Sequence, residues 1–173
     1  MVDAGNAGHS IQNKTGSRKH KRINRRRAEV VISSTYVLDA SVTAPWILVD
    51  EDSSDIEQMF DVIIQKENEL LVPEIWSLEC LNILKTAFRR KRISEKEVRR
   101  SLKALQVIPV KLVSLDSDEY SNVFGTSVLY DLTSYDAAYF YLAQKTGANL
   151  ITLDSDLLKL KEEHPFIFRP DEI

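Results

Sequence analysis

Short, continuously apolar runs recur along this chain, each followed by a segment with helical periodicity. Such runs need a parallel sheet covered on both faces. Tyr36-Val37-Leu38, Leu70-Leu71-Val72, Val110 to Val113 and Asn149 to Leu153 read as strands, and Phe166 to Phe168 as a candidate edge strand. Between them, Ser41 reads as the cap of a helix through Trp46 and Leu48, with Pro45 in its first turn. Further helices are expected over 54–66, 74–91, 94–107, 116–128, 134–145 and 155–161. Ser94 and Glu97 form a capping box, Thr133 caps the penultimate helix, and Gly147 ends it. The predicted class is therefore α/β, and sheets of this kind carry their sites at the carboxyl ends of the strands.

Residues 1–34 do not share this pattern. They hold eight Lys/Arg against Asp3 and Glu29, lack apolar periodicity, and read as a flexible basic arm. Residues 35–173 form the predicted folded domain, with 15 basic against 24 acidic side chains. An acidic domain of this kind acts on a polyanion only if cations offset its carboxylates where the substrate sits. No apolar run approaches the ~18 residues of a membrane span, and the N-terminal stretch lacks the apolar segment of a secretion signal. Cys80 is the sole cysteine, so no internal disulfide forms and a cytoplasmic setting is expected.

Elimination narrows the chemistry. His9, His20 and His164 all fall outside residues 35–160, leaving no histidine base for a Ser or Cys nucleophile there and no His/Cys zinc cluster. Only Gly125 and Gly147 follow residue 34, so no phosphate-cradling glycine loop exists. Carboxylates remain. Asp39 and Asp154 each end an apolar strand, where a helix-capping role is the plain alternative. Glu79 lies between Ile75 and Ile83 on a core-facing stripe, and Asp136 between Leu132 and Phe140. An acid on such a stripe is costly unless a cation or hydrogen bonds compensate it. Four carboxylates converging at one sheet edge would share protons or collect a hard divalent cation, Mg²⁺ or Mn²⁺. Phosphodiester hydrolysis suits such a site.

The segments that carry these acids are Tyr36-Val-Leu-Asp-Ala-Ser-Val42, Val72-Pro-Glu-Ile-Trp-Ser-Leu-Glu-Cys-Leu-Asn-Ile-Leu84, Leu132-Thr-Ser-Tyr-Asp-Ala-Ala138 and Leu150-Ile-Thr-Leu-Asp-Ser-Asp-Leu157. In this order they resemble the PIN-domain family, specifically the VapC-like toxins of toxin–antitoxin pairs. The resemblance implies a three-layer α/β/α sandwich with a central, mostly parallel sheet. It also implies a Mg²⁺- or Mn²⁺-dependent endoribonuclease that leaves 5′-phosphate and 3′-hydroxyl ends. By position, Asp39, Glu79, Asp136 and Asp154 match the family's acidic, metal-holding quartet. Ser41, Thr152 and Asn82 match supporting polar positions, and Asp156 is an additional supporting acid or a helix-start cap. An antitoxin partner and homodimerisation are implied as well. Residues 1–34 have no counterpart in that pattern. The basic cluster Arg89 to Arg92 with Lys96, Arg99, Arg100 and Lys103 reads as an RNA-steering surface, a receiver of an acidic antitoxin, or a solvated helix hairpin.

Two alternatives are carried forward. One is a non-catalytic PIN-fold module for RNA or protein binding. The other is an Asp-based phosphotransfer protein, disfavoured because Ser41 stands where a second acid would be needed.

Overall fold

The structure, a computed structural model, describes residues 35–173. The arm expected over residues 1–34 lies outside the described residues. Five strands form one sheet: β1 (Thr35–Leu38), β2 (Glu69–Pro73), β3 (Val110–Val113), β4 (Asn149–Ile151) and β5 (Ile167–Phe168). Their order is β3-β2-β1-β4-β5, and every pairing is parallel. Among the described residues seven α-helices connect them: α1 (Ala40–Ile47), α2 (Ser54–Gln65), α3 (Ile75–Arg89), α4 (Glu95–Leu105), α5 (Tyr120–Tyr130), α6 (Ser134–Thr146) and α7 (Ser155–Lys159). The expected α/β sandwich is present.

Burial explains the strand sequences. Val37, Leu38, Val72, Leu150 and Ile151 are fully enclosed, as strands covered on both faces must be. The chain steps outward from β1 to β2 and β3, then crosses back to place β4 on the other side of β1. With right-handed crossovers, that reversal distributes the helices over both faces. It also makes the gap between the ends of β1 and β4 the switch point, where adjacent connections leave in opposite directions. Leu38 pairs with Ile151 there, so the next residues of both chains emerge side by side.

Several local expectations are refined. Asp39, not Ser41, is the last extended residue before α1 (φ −75°, ψ 149°), so Pro45 sits well inside that helix and not in its first turn. Pro73 is the final residue of β2, where a missing N–H does least harm to the ladder. The segment expected as one helix from Asp116 begins with a 3₁₀ turn over Ser117–Glu119. It ends as α5, whose cap Asp131 takes a left-handed conformation (φ 52°). The Ser94–Glu97 box and the left-handed Gly147 at the end of α6 are as expected. A buried bond from the Trp76 indole N–H to Thr43 Oγ1 (3.1 Å) docks α3 onto α1.

Candidate active site

The strand ends, α3 and α6 bring Asp39, Glu79, Asp136 and Asp154 to the lining of a single cavity of about 520 Å³ at the carboxyl edge of the sheet. Ser41, Asn82, Tyr135 and Arg92 line it too. The convergence expected from residue positions is what the fold delivers, although each acid is held differently.

Asp39 is 4% exposed and, despite its place before α1, makes no side-chain cap bond. Its Oδ2 instead accepts from Ser41 Oγ (2.6 Å) and Thr152 Oγ1 (2.6 Å). Each hydroxyl in turn accepts a backbone N–H from the β4–α7 connection. Leu153 N donates to Ser41 (2.9 Å) and Asp154 N to Thr152 (2.9 Å). With a donor already pointing at each hydroxyl oxygen, its own proton is directed at Asp39. Ser41 and Thr152 thus fasten the end of β1 to the end of β4. Burial pushes the Asp39 carboxyl above the ordinary carboxylate range, against the pull of those hydroxyls, and the charge of Asp136 adds to the rise.

Glu79 is half-buried on α3, and its Oε2 accepts from Tyr139 Oη of α6 at 2.5 Å. Burial raises its pKa, the tyrosine hydrogen bond opposes this, and the charges of Asp39 and Asp136 reinforce it. Asp136, in the first turn of α6, accepts from Thr133 Oγ1 at 2.5 Å while its own N–H caps back onto that hydroxyl (3.1 Å). Burial raises it too, Thr133 opposes, and the charges of Asp154 and Asp156 add. Asp154 combines both roles weighed for it. Its Oδ1 accepts from Asp156 N (2.8 Å) and Leu157 N (3.1 Å) at the start of α7, and the residue still lines the cavity.

Asp156 is therefore not the cap. Its side chain is exposed, pairs with Lys159 (2.6 Å), and acts on the site through its charge on Asp136, while its backbone N–H holds Asp154. Asn82 sits one turn beyond Glu79 and faces the cavity, as expected. Tyr139 and Glu51 are site residues that the sequence did not single out; Thr133 was read there only as a helix cap, and Arg92 only as one cation of the basic cluster. Tyr139 is fully buried in an apolar stripe and looks like core until its hydroxyl is placed.

Oxygen atoms dominate the side-chain donors facing the cavity, a set suited to hard divalent cations. Among the described residues no three His, Cys, Asp or Glu side chains stand as a ready-made metal cage. Each carboxylate is instead tethered to its own hydroxyl or amide donor. The three raised acids carry an unfavourable charge that a cation would relieve, so the donor set fits such an ion.

A family model for the PIN domain matches residues 36–163. The chain belongs to the PIN-domain family. Within that family it is similar to Ribonuclease VapC3 of Pyrobaculum aerophilum, at 29% identity over 135 residues, covering 78% of this chain and 98% of that protein. A crystallised protein of Pyrobaculum aerophilum shares the fold with a TM-score of 0.58 at 20% identity, covering 82% of this chain and 94% of that one. A toxin–antitoxin complex from Klebsiella pneumoniae does so with a TM-score of 0.54 at 17% identity, covering 80% and 99%. All four carboxylates of the cavity lie within the PIN-domain match.

Proposed function

We propose that this PIN domain is a divalent-metal-dependent endoribonuclease and the toxin of a toxin–antitoxin pair, with Asp39, Glu79, Asp136 and Asp154 as its metal-holding acids. The observation that carries this reading is the meeting of four carboxylates from four separate elements in one cavity at the switch point, three of them raised by burial. Similarity to a protein named as a ribonuclease supports RNA as the substrate. A neighbour that is a toxin–antitoxin complex supports the antitoxin. An exposed apolar stripe on α5, Tyr120, Phe124 and Val128, supports self-association into a homodimer.

A bound Mg²⁺ or Mn²⁺ would supply an acidified water and offset charge on the phosphate oxygens. The protein's part is orientation. Ser41 and Thr152 hold Asp39 in one rotamer, Tyr139 holds Glu79, and Thr133 holds Asp136, so the acids need little rearrangement to share a cation. Cleavage would leave 5′-phosphate and 3′-hydroxyl ends.

The test is purified protein, free of antitoxin, incubated with structured RNA in Mn²⁺ or in chelator. Cleavage in Mn²⁺ that chelator abolishes is expected; no cleavage in Mn²⁺, or cleavage that persists in chelator, would sink the reading. Divalent metal is also expected to raise the melting temperature of the wild type more than that of Glu79→Gln. Equal shifts would remove Glu79 from the metal's surroundings. Thr152→Val keeps the shape of the side chain but deletes a proton aimed at Asp39 and an acceptor for Asp154 N–H. A loss of about 10–100-fold in metal affinity is expected, read by titration calorimetry.

A further inference from the structure

The cavity is lined by five carboxylates, those of Asp39, Glu51, Glu79, Asp136 and Asp154, and among the described residues by one cationic side chain, Arg92. A polyanion approaching these acids therefore meets a single fixed positive group in the cavity wall. Arg92 follows the end of α3 in a turn made possible by Lys91 at φ 57°, and its own N–H donates to the Ala87 carbonyl (3.0 Å). That anchors the base of the side chain.

The guanidinium fork is engaged by two carboxylates from the segment after α1. Nε donates to Asp50 Oδ2 (2.8 Å) and Nη2 to Glu51 Oε1 (2.6 Å). All three side chains are about one-third exposed, at 37%, 36% and 33%. Ion pairs this exposed contribute little to stability, so exchanging them is cheap. Two oxygens presented to one planar fork are also the arrangement that a phosphate offers. Two clefts share wall residues with the cavity. One shares Thr86 with it and is lined by Arg89 and Arg90, and the other shares Arg92 and adds Lys91.

We infer that Arg92 binds a backbone phosphate of the RNA strand beside the one cleaved, and that Asp50 and Glu51 fill its fork until the strand arrives. The choice of RNA as the polyanion rests on the ribonuclease reading. The geometry favours a nucleic acid over an acidic protein segment because Arg89, Arg90 and Lys91 line clefts that share wall residues with the cavity holding the four acids.

Binding of a labelled single-stranded oligoribonucleotide to the full chain is measured by anisotropy in chelator, between about 50 and 200 mM KCl. Arg92→Gln is expected to weaken binding about five- to tenfold and to reduce the slope of log K against log salt by about 0.7, one phosphate contact on a single strand. Arg92→Lys keeps the charge and loses the fork, so its slope should match wild type with intermediate affinity. Asp50→Asn with Glu51→Gln frees the fork and should tighten binding about threefold or more. In Mn²⁺, Arg92→Gln should raise KM for cleavage with kcat nearly unchanged.

Wild-type affinity, slope and KM in an Arg92→Gln protein that melts like wild type would overturn the inference while leaving the ribonuclease reading intact. So would binding to poly-glutamate that depends on Arg92 while RNA binding does not, since that result marks a protein-docking site. Weaker RNA binding by the Asp50/Glu51 double variant would overturn the placeholder role. A wild type that cleaves no RNA while Arg92→Gln still lowers RNA binding would instead defeat only the ribonuclease reading.

Discussion

Asp39→Asn is expected to lower RNA cleavage by at least about 10³-fold, or about 4 kcal/mol of transition-state stabilisation, and at the same time to raise the melting temperature of the metal-free protein. Both effects come from one side chain. Asp39 is the most enclosed acid of the cavity, at 4% exposure, and among the described residues its charge is compensated by the hydroxyls of Ser41 and Thr152 but by no cationic side chain. Asparagine keeps an oxygen that accepts from those hydroxyls and removes the charge that burial opposes. The chemistry loses a ligand while the fold loses a penalty, the trade expected at sites where function strains stability.

The pH dependence carries the same sign. A carboxyl whose pKa is higher in the folded chain than in the unfolded one binds its proton more readily when folded. Metal-free stability therefore rises as pH falls through the window between the raised value and the ordinary one, 3.8 for Asp39, and this contribution levels off below it. Glu79 and Asp136, raised in the same direction, widen the trend. Calorimetry in chelator should show this rise in wild type and a flatter profile in Asp39→Asn. A melting temperature gain of a few degrees corresponds to about 1 kcal/mol in a domain of this size. Full cleavage by Asp39→Asn would remove the carboxylate from the chemistry whatever its effect on melting.

Much of this site was legible because strand ends are legible. A run such as Tyr36-Val37-Leu38 stops being apolar at the residue where the chain leaves the sheet, so the position of Asp39 follows from hydrophobicity alone. Its conformation does not. Ser41 looked like the cap because serine caps well in general, but the hydroxyl is committed to Asp39 and to the Leu153 N–H 112 residues away. A pairing across that separation exists only once β1 and β4 lie side by side. Tyr139 was hidden for a related reason: an aromatic residue on an apolar stripe packs as core, and only its hydroxyl reveals the bond to Glu79. The basic run at the end of α3 was visible as charge. Which of its four cations faces the acids depends on the left-handed turn at Lys91.

Phe140→Ala is expected to destabilise the domain by about 3–5 kcal/mol, the usual cost of emptying a large aromatic site, and to lower the melting temperature by roughly 10–15 °C. Phe140 is fully buried one turn beyond Asp136 on α6 and outside the cavity lining, among Tyr130 (5.0 Å between ring centroids), Phe166 (5.3 Å) and the edge-on ring of His164 (4.9 Å). These rings tie α6 to the end of α5 and to the approach to β5. Among the described residues the buried Nε2 of His164 has no hydrogen-bond partner, so a water admitted beside it would recover part of the loss and place the result toward the lower end of the range. Phe140→Leu should cost distinctly less. The same helix carries Asp136 and Tyr139, but both are tethered locally, to Thr133 and Glu79. Well below the melting temperature, cleavage per folded Phe140→Ala molecule should therefore stay within about threefold of wild type, the inverse of the Asp39→Asn result. If cleavage instead collapses while circular dichroism shows a folded protein, the packing of α6 sets the position of the acids and the local tethers do not suffice.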